Sequence, residues 1–216
     1  MAEQLPVVVV RGEAVREVPP EQAVLSVTAS ARDRDRDTVL TRLAERSASV
    51  RAVLEAYGEG IEKRETSQVS IYPDMGRRSD TPVAYVGSAG TTVTVTDFAL
   101  LGELMLRLAG LDQVAVAGPW WQLRAGSKAG AEVRAEAIAD ALQRAREYAN
   151  AVGARVHRLV EIADESSGGV GGRAFLTAAV SRDTAQLEFD PQMQTVQASV
   201  IVRVTITEPD LTTPAD

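Results

Sequence analysis

The sequence predicts an α+β protein: two related β-α-β units with a strand and short-helix insert and a C-terminal strand, its twisted sheets covered by two long helices. Three observations carry this. Residues Val196 to Ile206 alternate apolar and polar side chains with the period of a half-buried strand. Two stretches, from Asp37 to Tyr57 and from Ala129 to Val152, carry apolar residues three or four apart, as amphipathic helices do. The order strand, link, long helix, strand also occurs twice, over Ala23–Tyr72 and Val114–Ala163, which is the signature of an internal repeat.

In chain order, Val7 to Val10 form a short apolar strand closed by Gly12 and the Pro19-Pro20 pair. Ala23, Leu25, Val27 and Ala29 share one face of the next strand, opposite Val24, Ser26, Thr28 and Ser30. A charged link, Arg32 to Asp37, leads into the first long helix, with Asp37 placed to cap it and Gly58 and Gly60 to end it. A strand follows around Val69–Tyr72, then a polar tip from Asp74 to Pro82.

Tyr85 to Thr96 reads as a Thr/Val-rich strand, with Gly87 and Gly90 marking a bulge or a close approach. Asp97 caps a short helix from Phe98 to Leu108. Val114 to Leu123 is a strand interrupted by Gly118-Pro119. The second long helix has an alanine-rich stripe, small enough to lie close to whatever it covers. Leu159 to Ala163 is a further strand. Glu165 to Gln194 is an expected long loop, with one helical turn near Ala174–Val180. Residues 1–6 read as an N-terminal extension, 7–208 as one interlocked domain holding units 23–72 and 114–163, and 209–216 as a disordered tail.

The chain of 216 residues has no cysteine, which excludes disulfides, thiolate metal sites and cysteine nucleophiles. A formal charge of −7 argues against general affinity for nucleic-acid backbones. No apolar run approaches the roughly 20 residues that span a bilayer, and no secretory signal opens the sequence, so the expectation is a cytoplasmic protein, or an exported one if a leader has been removed.

Several patterns resemble chemical motifs without completing them. Gly169 to Ala174 fits G-x-G-x-x-A, but no firm helix follows to aim amides at a phosphate. Asp33, Asp35 and Asp37 alternate like a calcium loop, yet Thr38 and Ala44 stand where the turn glycine and the closing glutamate belong. His157, the one histidine, lies beside Arg155 and Arg158 with no nucleophile motif. Glu161, Asp164 and Glu165 cluster near a strand end and read as surface charge. No catalytic, cofactor-binding or metal-ligating residue is therefore assigned, and no cofactor is expected.

The Trp120-Trp121 pair, with Arg124 nearby, is the one candidate contact site. Adjacent strand residues face opposite sides, so one indole enters the core and the other faces outward, to line an oligomer contact or a ligand groove.

The ordered set Val7-Val-Val-Val-Arg-Gly12, Thr66-Ser-Gln-Val-Ser-Ile-Tyr-Pro73, Tyr85 with Thr92-Val-Thr-Val-Thr-Asp97, and Ala137, Ala141, Ala145, Tyr148, Ala149, Gly153 resembles the SIMPL-domain (DUF541) family, which includes bacterial periplasmic antigens and stress-associated proteins. The resemblance spans about Val7 to Ile206. Two positions depart from the family pattern: its paired early glycines are here Gly12 and Ala14, and His157 replaces a second glycine after the long helix. It implies an α+β fold, a tendency to large homo-oligomers and no established enzymatic activity. The functional expectation is a non-enzymatic, self-assembling scaffold with a stress-related role. The alternative is a small-ligand-binding protein with its site between the two β-α-β units, lidded by the loops Asp74–Pro82 and Ser166–Gly172.

Overall fold

A computed structural model describes residues 5–75, 81–165 and 187–210. The protein is α+β, with seven strands in two antiparallel sheets and three α-helices among the described residues. The chain divides into two compact units. The first is built from 1–19, 125–173 and 193–216, and the second from 20–124 and 174–192.

The first unit holds β1 (Val7–Val18), α3 (Ala129–Ala151), β6 (Val156–Asp164) and β7 (Gln194–Ile206), with sheet order β1-β7-β6. Strand β7 is the alternating segment that was legible in the sequence. Ala198, Val200, Val202, Val204 and Ile206 are buried, while Arg203 and Gln197 are exposed. Helix α3 covers β1 and β7 with Val133, Ala137, Ala141, Ala145 and Ala149, one row at i, i+4 spacing and all fully buried. Alanine on that row lets the helix backbone descend onto β1 at Gly12. A Cβ there would stand 2.1 Å from the Ala137 carbonyl oxygen and 2.6 Å from the Ala141 Cβ.

The second unit holds β2 (Gln22–Asp33), α1 (Arg36–Glu55), β3 (Ile61–Met75), β4 (Pro82–Val95), α2 (Leu101–Ala109) and β5 (Val114–Gln122), with sheet order β3-β4-β2-β5. Its core joins Leu25, Val27, Val93 and Val95 of the sheet to Val50 and Leu54 of α1 and Leu101, Leu104 and Leu108 of α2. Val39 and Leu43 at the other end of α1 pack with Ala29 and Ala31.

Both units repeat one topology. In β1-α3-β6-β7 and in β2-α1-β3-β4, the first strand pairs antiparallel with the last, and the last also pairs with the third. The repeat expected from the sequence is thus real as a pattern of elements but grouped differently. Strand β5, expected to open the second unit at 114, hydrogen-bonds to β2 at the edge of the other sheet. The strand that opens the α3 unit is β1, and each unit is β-α-β-β rather than β-α-β.

Three other boundaries move. Strand β1 runs to Val18 rather than stopping near Gly12, because it pairs with β7 along its whole length. Strand β3 covers Ile61–Met75, far beyond Val69–Tyr72, held by β4 although most of its side chains are exposed. The cap of α1 is Asp35, not Asp37; its carboxylate accepts from the Thr38 N–H at 2.8 Å and from the Thr38 hydroxyl at 2.7 Å. Asp97 does cap the next helical segment, accepting from the Ala99 N–H at 3.0 Å. The helical turn expected at Ala174–Val180 lies outside the described residues.

The Asp35 cap has a pH signature. The Thr38 side-chain and backbone hydrogen bonds hold the Asp35 carboxyl below its ordinary value. The folded chain therefore binds this proton less readily than the unfolded one. The stabilisation is complete above the ordinary aspartate range and fades as pH falls through the lowered value. Asp35→Ala is expected to lower the melting temperature at pH 7, with the difference from wild type shrinking toward zero near pH 2 in a series of thermal melts. A difference that stays constant across the series would contradict the capping role.

Candidate functional site

Strand β5 places the tryptophans through its pairing with β2, where Trp121 stands opposite Ala23 and Trp120 opposite Val24. Ala23 belongs to the helix-facing row, so Trp121 turns inward. Its ring meets Phe98 edge-on, centroids 4.8 Å apart at 77°, at the margin of the second unit's core. Trp120 faces the other way and is 42% exposed. Between them and Ala117, the Gly118-Pro119 pair, joined by a cis peptide, stands against Leu25 alone and forms a bulge.

Arg124, half-exposed, makes two contacts within its own chain. Its guanidinium lies 2.9 Å from Glu62, and its backbone N–H donates to the Glu21 carboxylate at 2.9 Å. Nothing in the Trp120, Trp121 and Arg124 sequence signals these two partners, because both come from other strands or their ends.

The other candidate groups are dispersed. Asp33 pairs with Arg42 at 2.8 Å and accepts from the Asp35 N–H, so the aspartate series forms the entry of α1. His157 is an exposed extra residue in the bulged strand β6. Glu161 pairs with Arg203 at 3.4 Å and Glu165 lies 3.6 Å from Arg11. Among the described residues no cluster of His, Asp or Glu is arranged to hold a metal ion. Residues 166–186 and 76–80, which include the glycine pattern and most of the two expected lid loops, lie outside the described residues.

One titratable group is shifted by packing. Burial, with Glu103 close by, pushes the Tyr57 phenol above its ordinary value, and the Arg107 guanidinium sits 5.6 Å from its ring centroid. It is a neutral phenol at physiological pH.

Two concavities stand out among the described residues. A recess of about 350 Å³ in the second unit is lined by Arg42, Glu45, Arg46, Ser49 and Asp112. Arg46 donates there to the Ser30 carbonyl at 2.7 Å and to Asp112 at 2.5 Å, and Arg42 pairs with Asp33 at 2.8 Å. The second, about 590 Å³, is an apolar groove in the first unit, running beside β1 and walled by Val8, Val10, Tyr148, Val152 and Pro209. Sequence reasoning missed it, because its wall combines β1 with a helix more than a hundred residues later.

Fold and surface together define a two-unit α+β protein of repeated β-α-β-β topology, with its exposed apolar side chains gathered on strands. The chain belongs to the SIMPL family, described as proteins of unknown function (DUF541), which it matches over residues 8–204. No match is found among curated proteins. Among solved structures, the crystal structure of a hydantoinase/carbamoylase family amidase from Burkholderia ambifaria aligns with a TM-score of 0.32 at 15% identity, covering 57% of this chain and 34% of that one. The aligned part is about a third of that protein's length, and a superposition at this level defines neither fold nor activity. Among the described residues no helix is long and apolar enough to cross a membrane.

Proposed function

We propose that this SIMPL-family chain is a non-enzymatic protein that works by self-assembly, as a scaffold, with a role in stress protection as the family resemblance implies. The observation that supports the reading is where its exposed apolar side chains sit. Among the described residues, apart from Leu40, Tyr148, Met193 and Val83, every exposed large apolar residue lies on an edge strand: Val7, Val9 and Val15 on β1, Val69, Tyr72 and Met75 on β3, Trp120 on β5, and Leu159, Val160 and Ile162 on β6. Edge strands also offer unpaired backbone groups, so apolar contact and hydrogen bonding coincide where another chain would join.

Light scattering or native mass measurement from about 1 to 100 μM tests this. A mass several times that of the 23.0 kDa chain is expected, with a defined stoichiometry. A monomer throughout that range overturns the reading.

A further inference from the structure

We infer that the contact by which this chain first pairs is the outer edge of β1, taken up by the same edge of a second copy running antiparallel to it. The inference rests on the self-assembly reading above and names the surface that it uses.

The four open edges are not equivalent. Strand β3 carries extra residues at Glu62 and Ser67, β5 at Gly118-Pro119, and β6 at His157 and Val160. Each of these bulges twists the strand and breaks the row of groups that an incoming chain would need, which is how edges are protected from pairing. Strand β1 has none. Its register against β7 is unbroken from Val7 to Val18.

The phase of that pairing shows which groups are free to pair. The Ile206 N–H donates to the Pro6 carbonyl at 2.9 Å, so Pro6, Val8, Val10 and Gly12 turn their backbone groups toward β7. Val7, Val9, Arg11 and Glu13 turn theirs to the open edge. The Glu13 N–H confirms the direction by donating outward to Asp140 at 3.0 Å, and this carboxylate closes the edge at that point. Among the described residues no further strand pairs with this edge from Val7 to Arg11, a valine-rich run of high β propensity with Val7 and Val9 exposed at 47% and 53%.

The apolar groove lies along this same stretch, since Val8, Val9, Val10 and Arg11 line it on one side and Tyr148 and Val152 on the other. Backbone pairing and a seat for side chains therefore coincide on one edge, as strand addition requires.

The occupant that fits is a second copy. A two-fold axis at Val9 sets Val9 against the second copy's Val9 and Arg11 against the second copy's Val7. That is valine on valine at the centre, with no like charges opposed. It would join two three-stranded sheets into one of six strands.

The test uses single substitutions in the full chain. Val9 points away from the helix side and its N–H is not used by β7, so Val9→Glu and Val9→Pro spare the fold. Val9→Glu sets two carboxylates opposite each other, and Val9→Pro removes the central donor. Each is expected to weaken self-association at least tenfold by sedimentation velocity, whereas Leu40→Glu, at an exposed position of α1 away from every sheet edge, leaves it unchanged. In this cysteine-free chain, Val9→Cys with a short bifunctional maleimide should give a covalent dimer, and Leu40→Cys on α1 should not. This second measurement decides the matter even if a Val9 variant fails to fold. Wild-type mass retained by both Val9→Glu and Val9→Pro, or no Val9→Cys dimer from an assembled protein, overturns the β1 contact and leaves the assembly reading standing. A wild type that stays monomeric overturns both.

Discussion

Gly12→Ala is expected to destabilise the first unit by about 3 kcal/mol or more, at the upper end of overpacking costs, through the addition of one methyl group. The φ angle at Gly12 is not among the positive ones, so the cost is steric rather than conformational. The new Cβ would lie 2.1 Å from the Ala137 carbonyl oxygen and 2.6 Å from both the Ala141 N and Cβ. Two of those atoms are helix backbone and cannot rotate aside, so α3 must lift off β1 and open the packing along its alanine row. In a chain of this size, 3 kcal/mol corresponds to roughly 6–12 °C in melting temperature.

Gly87→Ala supplies the comparison. Its added Cβ meets the ends of two side chains, Val39 Cγ1 at 2.8 Å and Leu43 Cδ2 at 3.3 Å, which can shift. A loss of about 1 kcal/mol is expected there, near the lower end of the overpacking range. Denaturant titration of the two variants separates them. Adding Ala141→Gly should restore Gly12→Ala only in part, because the Ala137 carbonyl stays in place. Full rescue, or equal losses at the two glycines, would contradict a backbone clash.

The second large effect distinguishes the two indoles. Trp121→Ala removes the edge-on partner of Phe98 and exposes the margin of the second unit's core, with an expected loss of about 3 kcal/mol. Trp120→Ala truncates an exposed side chain and should stay within about 0.5 kcal/mol of wild type. Paired urea titrations measure both. A change in native mass for Trp120→Ala with stability intact would mark an assembly contact on β5 as well. Comparable destabilisation by both substitutions would contradict the inward and outward assignment.

What the sequence disclosed follows from how far apart interacting residues lie. Strands β7 and β2 were legible because one face of each is buried, and burial imprints a period of two on Val196–Ile206 and Ala23–Ser30. The early part of β3 was not, since Glu62 to Gln68 is exposed and has no buried face to mark it; pairing with β4 holds it extended. The repeat was visible as an order of elements. Its true opening strand was not, because the pairing of Val7 with Thr205 leaves no periodic trace.

The candidate site divides the same way. Alternation along one strand was enough to send Trp120 and Trp121 to opposite faces. The Arg124 pairing with Glu62 and the groove beside β1 join residues distant in sequence, so no local pattern announced them.

The interleaving of the two units also orders events during synthesis. Among the described residues, the two α-helices and four strands of the second unit all come from residues 20–124, so its framework can assemble soon after that stretch is made. Strand β1 emerges before any of it, yet its partner β7 begins only at Gln194. For most of the chain's production the four valines near the N-terminus thus have both edges bare, in a form that invites intermolecular pairing. A slow ribosome lengthens that interval, and anything that occupies the nascent strand until the last thirteen-residue strand arrives shortens the hazard.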